Sequence, residues 1–125
     1  MSKFRYDKIL LTGAAGALGD QLRESLSKVS SLLRISDRED LTKKFKNEEV
    51  VKADLSSADE MISLTKNIDC VVHMGGQSIE GSWDNVLNSN IIGMYNLYEA
   101  CRKNNVKRVI WASSVHTVGF YPRSQ

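Results

Sequence analysis

No stretch of these 125 residues approaches the ~18 consecutive apolar residues that a membrane-spanning helix needs. The opening MSKFRYDKILL carries charge through its first eight residues, with no long apolar segment or small-residue cleavage site before the first strand, so no secretory leader is expected. A cytoplasmic location is the default expectation. Cysteine is scarce: Cys70 and Cys101 form no CxxC pair and sit in apolar segments, which argues against a disulfide framework or a zinc site and for two reduced core residues. No metal site is expected. A large charge of one sign is also lacking, since 17 basic side chains face 15 acidic ones for a formal net charge of +2. That balance gives no electrostatic footprint for nucleic acid. With 42% hydrophobic and 26% charged residues, and with no repeat, linker or low-complexity tract, one soluble-type domain is expected.

What is present is an alternation of short apolar runs with amphipathic stretches. Lys8 to Thr12 is too short and apolar for a helix and ends in glycine, so it reads as a buried strand. From about Ala15 to Lys28, Leu18, Leu22, Leu26 and Val29 recur at helical spacing and are expected to pack on a sheet. Leu32 to Ser36 and Glu49 to Lys52 read as the second and third strands, separated by a polar segment. A helix capped by Ser56 or Ser57 follows to about Lys66, with Glu60 as the capping-box partner of Ser57. Asp69 to Met74 reads as the fourth strand. Trp83 to Lys103 reads as one long helix whose apolar face holds Val86, Leu87, Ile91, Met94, Leu97, Tyr98 and Cys101. Gly93 inside it costs roughly 1 kcal/mol relative to alanine, which points to close approach of another backbone or a ligand. Val106 to Ser113 gives the fifth strand. Parallel neighbours need crossover connections, so this order predicts an α/β protein: a doubly wound parallel sheet of Rossmann type, with helices on both faces.

Between the first strand and first helix lies Gly13-Ala14-Ala15-Gly16-Ala17-Leu18-Gly19. Glycines here permit a tight turn, close approach of a pyrophosphate to the backbone and tight helix–strand packing, while the helix start offers unpaired N–H groups. A turn with a packing glycine would explain the triplet alone, but the strand, the helix and a later acidic residue are all in place. That acidic residue is Asp37, eighteen positions beyond Gly19, where about 20 is usual. Its carboxylate suits the adenosine ribose hydroxyls and repels a 2′-phosphate, so NAD is favoured over NADP. Arg38 is the counter-signal, able to hold a 2′-phosphate or to stand solvated. Gly13→Val is expected nearly to abolish dinucleotide binding by filling the pyrophosphate's space.

The GxxGxxG spacing resembles that of the extended short-chain dehydrogenase/reductases, the NAD-dependent epimerase/dehydratase family. Further segments agree. Ala53-Asp54-Leu55 is similar to the family's Asp-Leu after the third strand, where the resemblance implies an adenine contact; helix capping is the plain alternative for Asp54. His73-Met74-Gly75-Gly76 resembles the stretch whose backbone lines the cofactor. Asn90-Ile91-Ile92-Gly93-Met94-Tyr95-Asn96 resembles the N-x-x-G-x-x-N helix, which would place Asn90 at the cofactor. Ala112-Ser113-Ser114 followed by Gly119 resembles S-S-x-x-x-x-G, in which the second serine is catalytic. The resemblance covers essentially the whole chain and is greatest to the branch that oxidises hexuronic acids at C1 to aldonolactones. It implies Ser114 as a catalytic residue, and Ser78, Ser114, Val115 and His116 as contacts to a sugar-acid substrate. That branch usually has asparagine where this chain has Val115. For Ser78 and His116, ordinary loop roles remain the alternative. A homo-oligomer is possible for the full-length form.

The family's proton-abstracting Y-x-x-x-K is absent. Tyr98 is followed at that spacing by Arg102, and Tyr121 by Gln125. The chain is therefore expected to be the N-terminal, dinucleotide-binding part of a longer enzyme, lacking the Tyr/Lys helix and the substrate region. The competing expectations are a nucleotide-sugar epimerase or dehydratase of the same family, or a non-catalytic dinucleotide-binding regulatory module. Nucleophilic hydrolysis by Ser114 and His116 is not expected, since no GxSxG elbow exists and a histidine two residues beyond a serine cannot easily act as its base across a turn.

Overall fold

The computed structural model describes residues 5–124; residues 1–4 of the charged N-terminus and Gln125 lie outside them. Five strands, β1 (Lys8–Thr12), β2 (Leu32–Asp37), β3 (Glu48–Lys52), β4 (Cys70–His73) and β5 (Arg108–Trp111), form one sheet in the order β3-β2-β1-β4-β5. Every pairing is parallel. The expected architecture is thus observed, and the strand order reverses direction beside β1, where open α/β sheets hold their ligands.

Alternate side chains of the strands feed two cores. On one face Leu10 and Val71 pack with Met61, Leu64, Leu97, Ala100 and Cys101 from helices α2 (Ala58–Leu64) and α4 (Gly93–Lys103). On the other, Ile9, Leu11, Leu33, Ile35, Cys70 and Val72 meet Leu22 and Leu26 of helix α1 (Ala17–Lys28). Both cysteines are buried and free, as expected, and burial raises both thiol pKa values, Cys101 to about 11.

The helix faces differ from their apolar pattern. In α1, Leu18 is 64% exposed and Val29, its C-cap, 52%, while Arg23 is 2% exposed. Arg23 pairs through Nε and Nη2 with the two carboxylate oxygens of Glu48 at 2.7 and 2.8 Å and donates to the Thr42 carbonyl at 2.6 Å. A bidentate, fully hydrogen-bonded guanidinium can thus occupy the sheet-facing stripe that leucine would otherwise fill. Val106 to Ser113 contributes only Arg108–Trp111 as strand. β5 is paired with β4 on one side, and Ile110 and Trp111 are half exposed.

The long helix is continuous in direction but not in hydrogen bonding. Helix α3 (Trp83–Val86) passes into a π-helical segment, Leu87–Ile92, and then into α4. The Gly93 N–H bonds back five residues to the Asn88 carbonyl. Its buried face is Gly93, Asn96, Leu97, Ala100 and Cys101, leaving Ile91 and Tyr98, expected inside, exposed. Small residues take the line of closest approach: a Cβ on Gly93 would lie 2.8 Å from the Leu55 Cβ. What comes closest to Gly93 is thus the Leu55 side chain, where another backbone or a ligand was expected.

At α2, Ser57 is the N-cap and its Oγ accepts the Glu60 N–H at 3.3 Å. The expected return bond from Glu60 goes elsewhere, to the Asp54 N–H at 2.6 Å. It clamps the end of β3 instead of closing the box. Among the described residues, no helix is long and apolar enough to cross a membrane, and no group of three or more His, Cys, Asp or Glu could hold a metal.

Candidate functional site: a cleft at the carboxyl ends of the strands

A cleft of about 410 Å³ opens where β1, β2 and β4 end. Gly13, Gly16, Ala17, Leu18 and Gly19 form one wall, and Asp37 and Arg38 the β2 end. Asp54 and Leu55 follow β3, and Met74, Gly75, Gly76 and Ser78 follow β4. The structure thus brings together nearly all the residues expected to meet a dinucleotide, with Ser78. Asn90 does not line the cleft, although Ser89 does. Ser114, Val115 and His116 also stand outside its lining, around an exposed 3₁₀ turn, Val115–Thr117.

The glycines have distinct reasons. Gly13 has φ +69°, and a Cβ there would stand 2.5 Å from the Gly75 nitrogen and 2.6 Å from the Met74 oxygen. The space a side chain would fill is that of the β4–α3 loop, so Gly13→Val strikes the fold before it strikes any phosphate, contrary to expectation. Gly19 is forced by helix-to-turn contact, with its Cβ 2.9 Å from the Ala14 Cα. Gly16 is the least crowded of the three: within 4 Å its Cβ meets only the Gly13 oxygen, at a tight 3.3 Å. Gly16 caps α1 with no side-chain bond, so the first-turn N–H groups of Ala17, Leu18 and Gly19 face the cleft at the positive end of a twelve-residue helix. That arrangement fits a diphosphate.

Asp37 is tied into the same wall. Its Oδ2 accepts the Ala15 N–H at 3.0 Å and its Oδ1 the Glu39 N–H at 3.1 Å. Each oxygen keeps a lone pair for a sugar hydroxyl. Arg38 lies 3.7 Å from Glu39. The Asp54 carboxyl sits below its ordinary range because the Ser56 N–H and hydroxyl both donate to it, with the Arg38 charge assisting. Asp54 closes a local turn ahead of α2 and is not its cap, which is Ser57, and only Oδ1 is consumed by that turn.

The side chains of Thr12, His73 and Asn96 shape the site although the sequence assigned them no role there. The Thr12 hydroxyl accepts the Gly75 N–H at 3.3 Å and meets the His73 Nδ1 at 2.6 Å, bridging the ends of β1 and β4. Burial drops the His73 pKa to about 4, so this ring is neutral at pH 7. Asn96 donates to the Leu55 carbonyl at 3.0 Å, pinning the loop after β3. The second asparagine of N-x-x-G-x-x-N was the available signal. Asn90 pairs with Gln77, its Oδ1 accepting the backbone N–H at 2.7 Å and its Nδ2 donating to the carbonyl at 2.9 Å.

At the far side, Ser114 Oγ accepts the His116 N–H at 3.1 Å and lies 3.2 Å from the His116 Nδ1. The ring thus comes within hydrogen-bond distance of the serine, nearer than the two-residue spacing suggests for a base, though no GxSxG elbow accompanies the pair. Ser114 is the N-cap of the 3₁₀ turn, and the cap bond to the His116 N–H holds its hydroxyl beside the ring nitrogen.

Comparison with known proteins agrees with this geometry. The NAD dependent epimerase/dehydratase family matches residues 9–125. The chain is 42% identical over 96% of its length to a uronate dehydrogenase of Pseudomonas syringae pv. tomato, and 42% identical over 94% to one of Agrobacterium fabrum, spanning 44% of each. Among solved structures, a uronate dehydrogenase mutant from Agrobacterium tumefaciens complexed with NAD superposes with TM-score 0.89 at 42% identity, over 95% of this chain and 45% of that one. A glucuronic acid dehydrogenase from Chromohalobacter salexigens gives 0.90 at 42% identity, over 96% and 45%. The chain spans somewhat under half the length of these relatives, and through its glycine loop, its strand-end cleft and these matches it belongs to the NAD dependent epimerase/dehydratase family.

Proposed function

We propose that residues 1–125 form a partial dinucleotide-binding domain that takes NAD in the strand-end cleft, within an enzyme that oxidises a hexuronic acid at C1 to an aldonolactone. The reading rests on the overall likeness to an NAD-complexed uronate dehydrogenase together with a strand-end cleft whose own chemistry suits a dinucleotide. More distant relatives acting on other sugars are about 30% identical, which favours the uronate branch over a nucleotide-sugar epimerase.

When bound, NAD supplies the hydride acceptor. The chain's residues supply position and field. The N–H groups of Ala17, Leu18 and Gly19 hold the pyrophosphate, and Asp37 accepts from the adenosine ribose and disfavours a 2′-phosphate. Arg38, Asp54 and Leu55 border the adenine, and Met74, Gly75 and Gly76 wall the cleft. Ser114 hydrogen-bonds the reacting hydroxyl, while Ser78, His116 and the backbone at Val115 face the remaining sugar oxygens. The proton acceptor lies outside these 125 residues, which contain no Y-x-x-x-K. The chain alone should therefore show no appreciable uronate turnover, since general-base catalysis contributes about 10²–10⁴-fold. A cytoplasmic location and a homo-oligomeric longer protein belong to the same proposal.

The test is calorimetric titration of the chain with NAD and NADP, joined to assay of a longer protein carrying it with galacturonate and glucuronate. Tighter NAD binding and NADH formation with lactone release are expected. Oxidation of neutral sugars at equal rate, or uronate turnover without lactone, would remove the substrate assignment.

A further inference from the structure

The loop after β4 has two separate anchors. Its first part is held by Thr12, whose hydroxyl takes the Gly75 N–H. Its second is held from the π-helical segment by Asn90, which satisfies both backbone groups of Gln77 at 2.7 and 2.9 Å. A side-chain amide used in this way replaces the pairing that a neighbouring strand would provide. Gly76, between the anchors, has φ +138°, and a Cβ on it would stand 2.7 Å from the Asn90 Oδ1. The asparagine therefore requires the glycine. With its amide committed to Gln77 and its position outside the cleft lining, Asn90 is badly placed to touch a dinucleotide. The residue that follows the clasp is Ser78, at the cleft wall.

We infer that Asn90 is a positioning residue for the substrate end of the site: it fixes Gln77 so that Ser78 is presented to the sugar acid, while Thr12 independently holds Gly75 for the cofactor. The inference rests on the functional reading above only for the identity of what Ser78 meets. The division into two anchors stands on the hydrogen bonds alone. Rigid presentation of a contact residue lowers the ordering cost of binding, so its loss appears in substrate affinity.

The experiment compares Asn90→Ala and Asn90→Asp with the unaltered protein. Asn90→Asp keeps the acceptor for the Gln77 N–H, loses the donor to its carbonyl, and guards against a fold failure of the alanine variant. Site-resolved amide exchange on the chain should show Gln77 protection falling roughly 10- to 100-fold in Asn90→Ala and less in Asn90→Asp, with Gly75 changed by less than about threefold. NAD affinity should stay within about threefold. In the longer protein, the KM for hexuronate should rise about tenfold or more and rise less for the aspartate variant. Equal loss of protection at Gly75 and Gln77 would overturn the inference, because the loop would then move as one piece. An NAD affinity that falls as far as the hexuronate KM rises would also overturn it, making Asn90 a cofactor contact. If the unaltered longer protein turns over no hexuronate, the functional reading fails, while exchange and NAD binding still decide the anchoring.

Discussion

Replacing Gly13 and Gly16 by alanine, one at a time, should separate a glycine the fold requires from one the ligand requires. At Gly13 the backbone has φ +69°, and the new methyl would stand 2.5 Å from the Gly75 nitrogen and the Met74 carbonyl carbon. The left-handed conformation costs a residue with a Cβ about 1–2 kcal/mol. Relieving contacts nearly 1 Å too short against backbone adds a further ~1–3 kcal/mol. The sum, roughly 2–5 kcal/mol, is a large part of the ~5–15 kcal/mol that holds a typical domain folded. Gly16 has φ −72°, and its methyl would meet only the Gly13 oxygen at 3.3 Å. Its folding cost should be under ~1 kcal/mol and is offset by the entropy that alanine removes from the unfolded chain. Yet that methyl would project where a pyrophosphate approaches the backbone, so NAD affinity should fall at least about tenfold, or 1.4 kcal/mol. Urea denaturation and calorimetric titration measure the two quantities. Gly13→Ala should lose several kcal/mol of stability, and Gly16→Ala should keep its denaturation midpoint while losing NAD. A Gly16→Ala protein that binds NAD normally, or a Gly13→Ala protein as stable as the parent, would refute the division.

Four other outcomes follow from particular side chains. His73, with its pKa near 4 against about 6.5 in the unfolded chain, takes up a proton on unfolding, so stability should decline as pH falls from about 6.5 to 4, by up to about 3 kcal/mol. Urea midpoints for His73→Gln should be flatter across that window. Glu48→Ala leaves the Arg23 guanidinium buried without its carboxylate and should cost roughly 3–5 kcal/mol by denaturant titration, more than replacement of both residues by apolar ones. Asp37→Ala should narrow the NAD-over-NADP preference, read by calorimetry with both cofactors, and an unchanged ratio would remove Asp37 from the specificity argument. In the longer protein, Ser114→Ala should lower kcat strongly with NAD affinity nearly intact, since its proposed partner is the reacting hydroxyl.

Much of the fold is legible because strands announce themselves through continuous apolar runs. Lys8–Thr12 is recovered to the residue, and Leu32 and Lys52 mark true strand ends. The cleft is legible for a related reason: glycine loops and strand-end carboxylates act through backbone geometry that few sequences can make. Helix faces are read less well. Period-3.6 hydrophobicity assigns Leu18, Ile91 and Tyr98 to the interior, but tight packing selects Gly93 and Ala100, and an ion pair selects Arg23. Pairings between distant polar residues, such as Thr12 with His73, leave no local pattern because they join elements 61 residues apart. Glu60 shows how a true motif can be redirected, since the Asp54 amide competes for its carboxylate and wins.

The π-helical turn between Leu87 and Ile92 bears on what kinds of sequence change this segment can absorb. One extra residue in the ladder lets Asn90 meet Gln77 while Gly93 still meets Leu55. Removing any single residue there would restore regular α-helical bonding and rotate one end of the helix by about 100° relative to the other. One of the two loops would then lose its partner. Exposed positions such as Ile91 can change identity at small cost, but an insertion or deletion of one codon between them cannot be absorbed, so in this stretch the number of residues is under tighter constraint than most of their side chains.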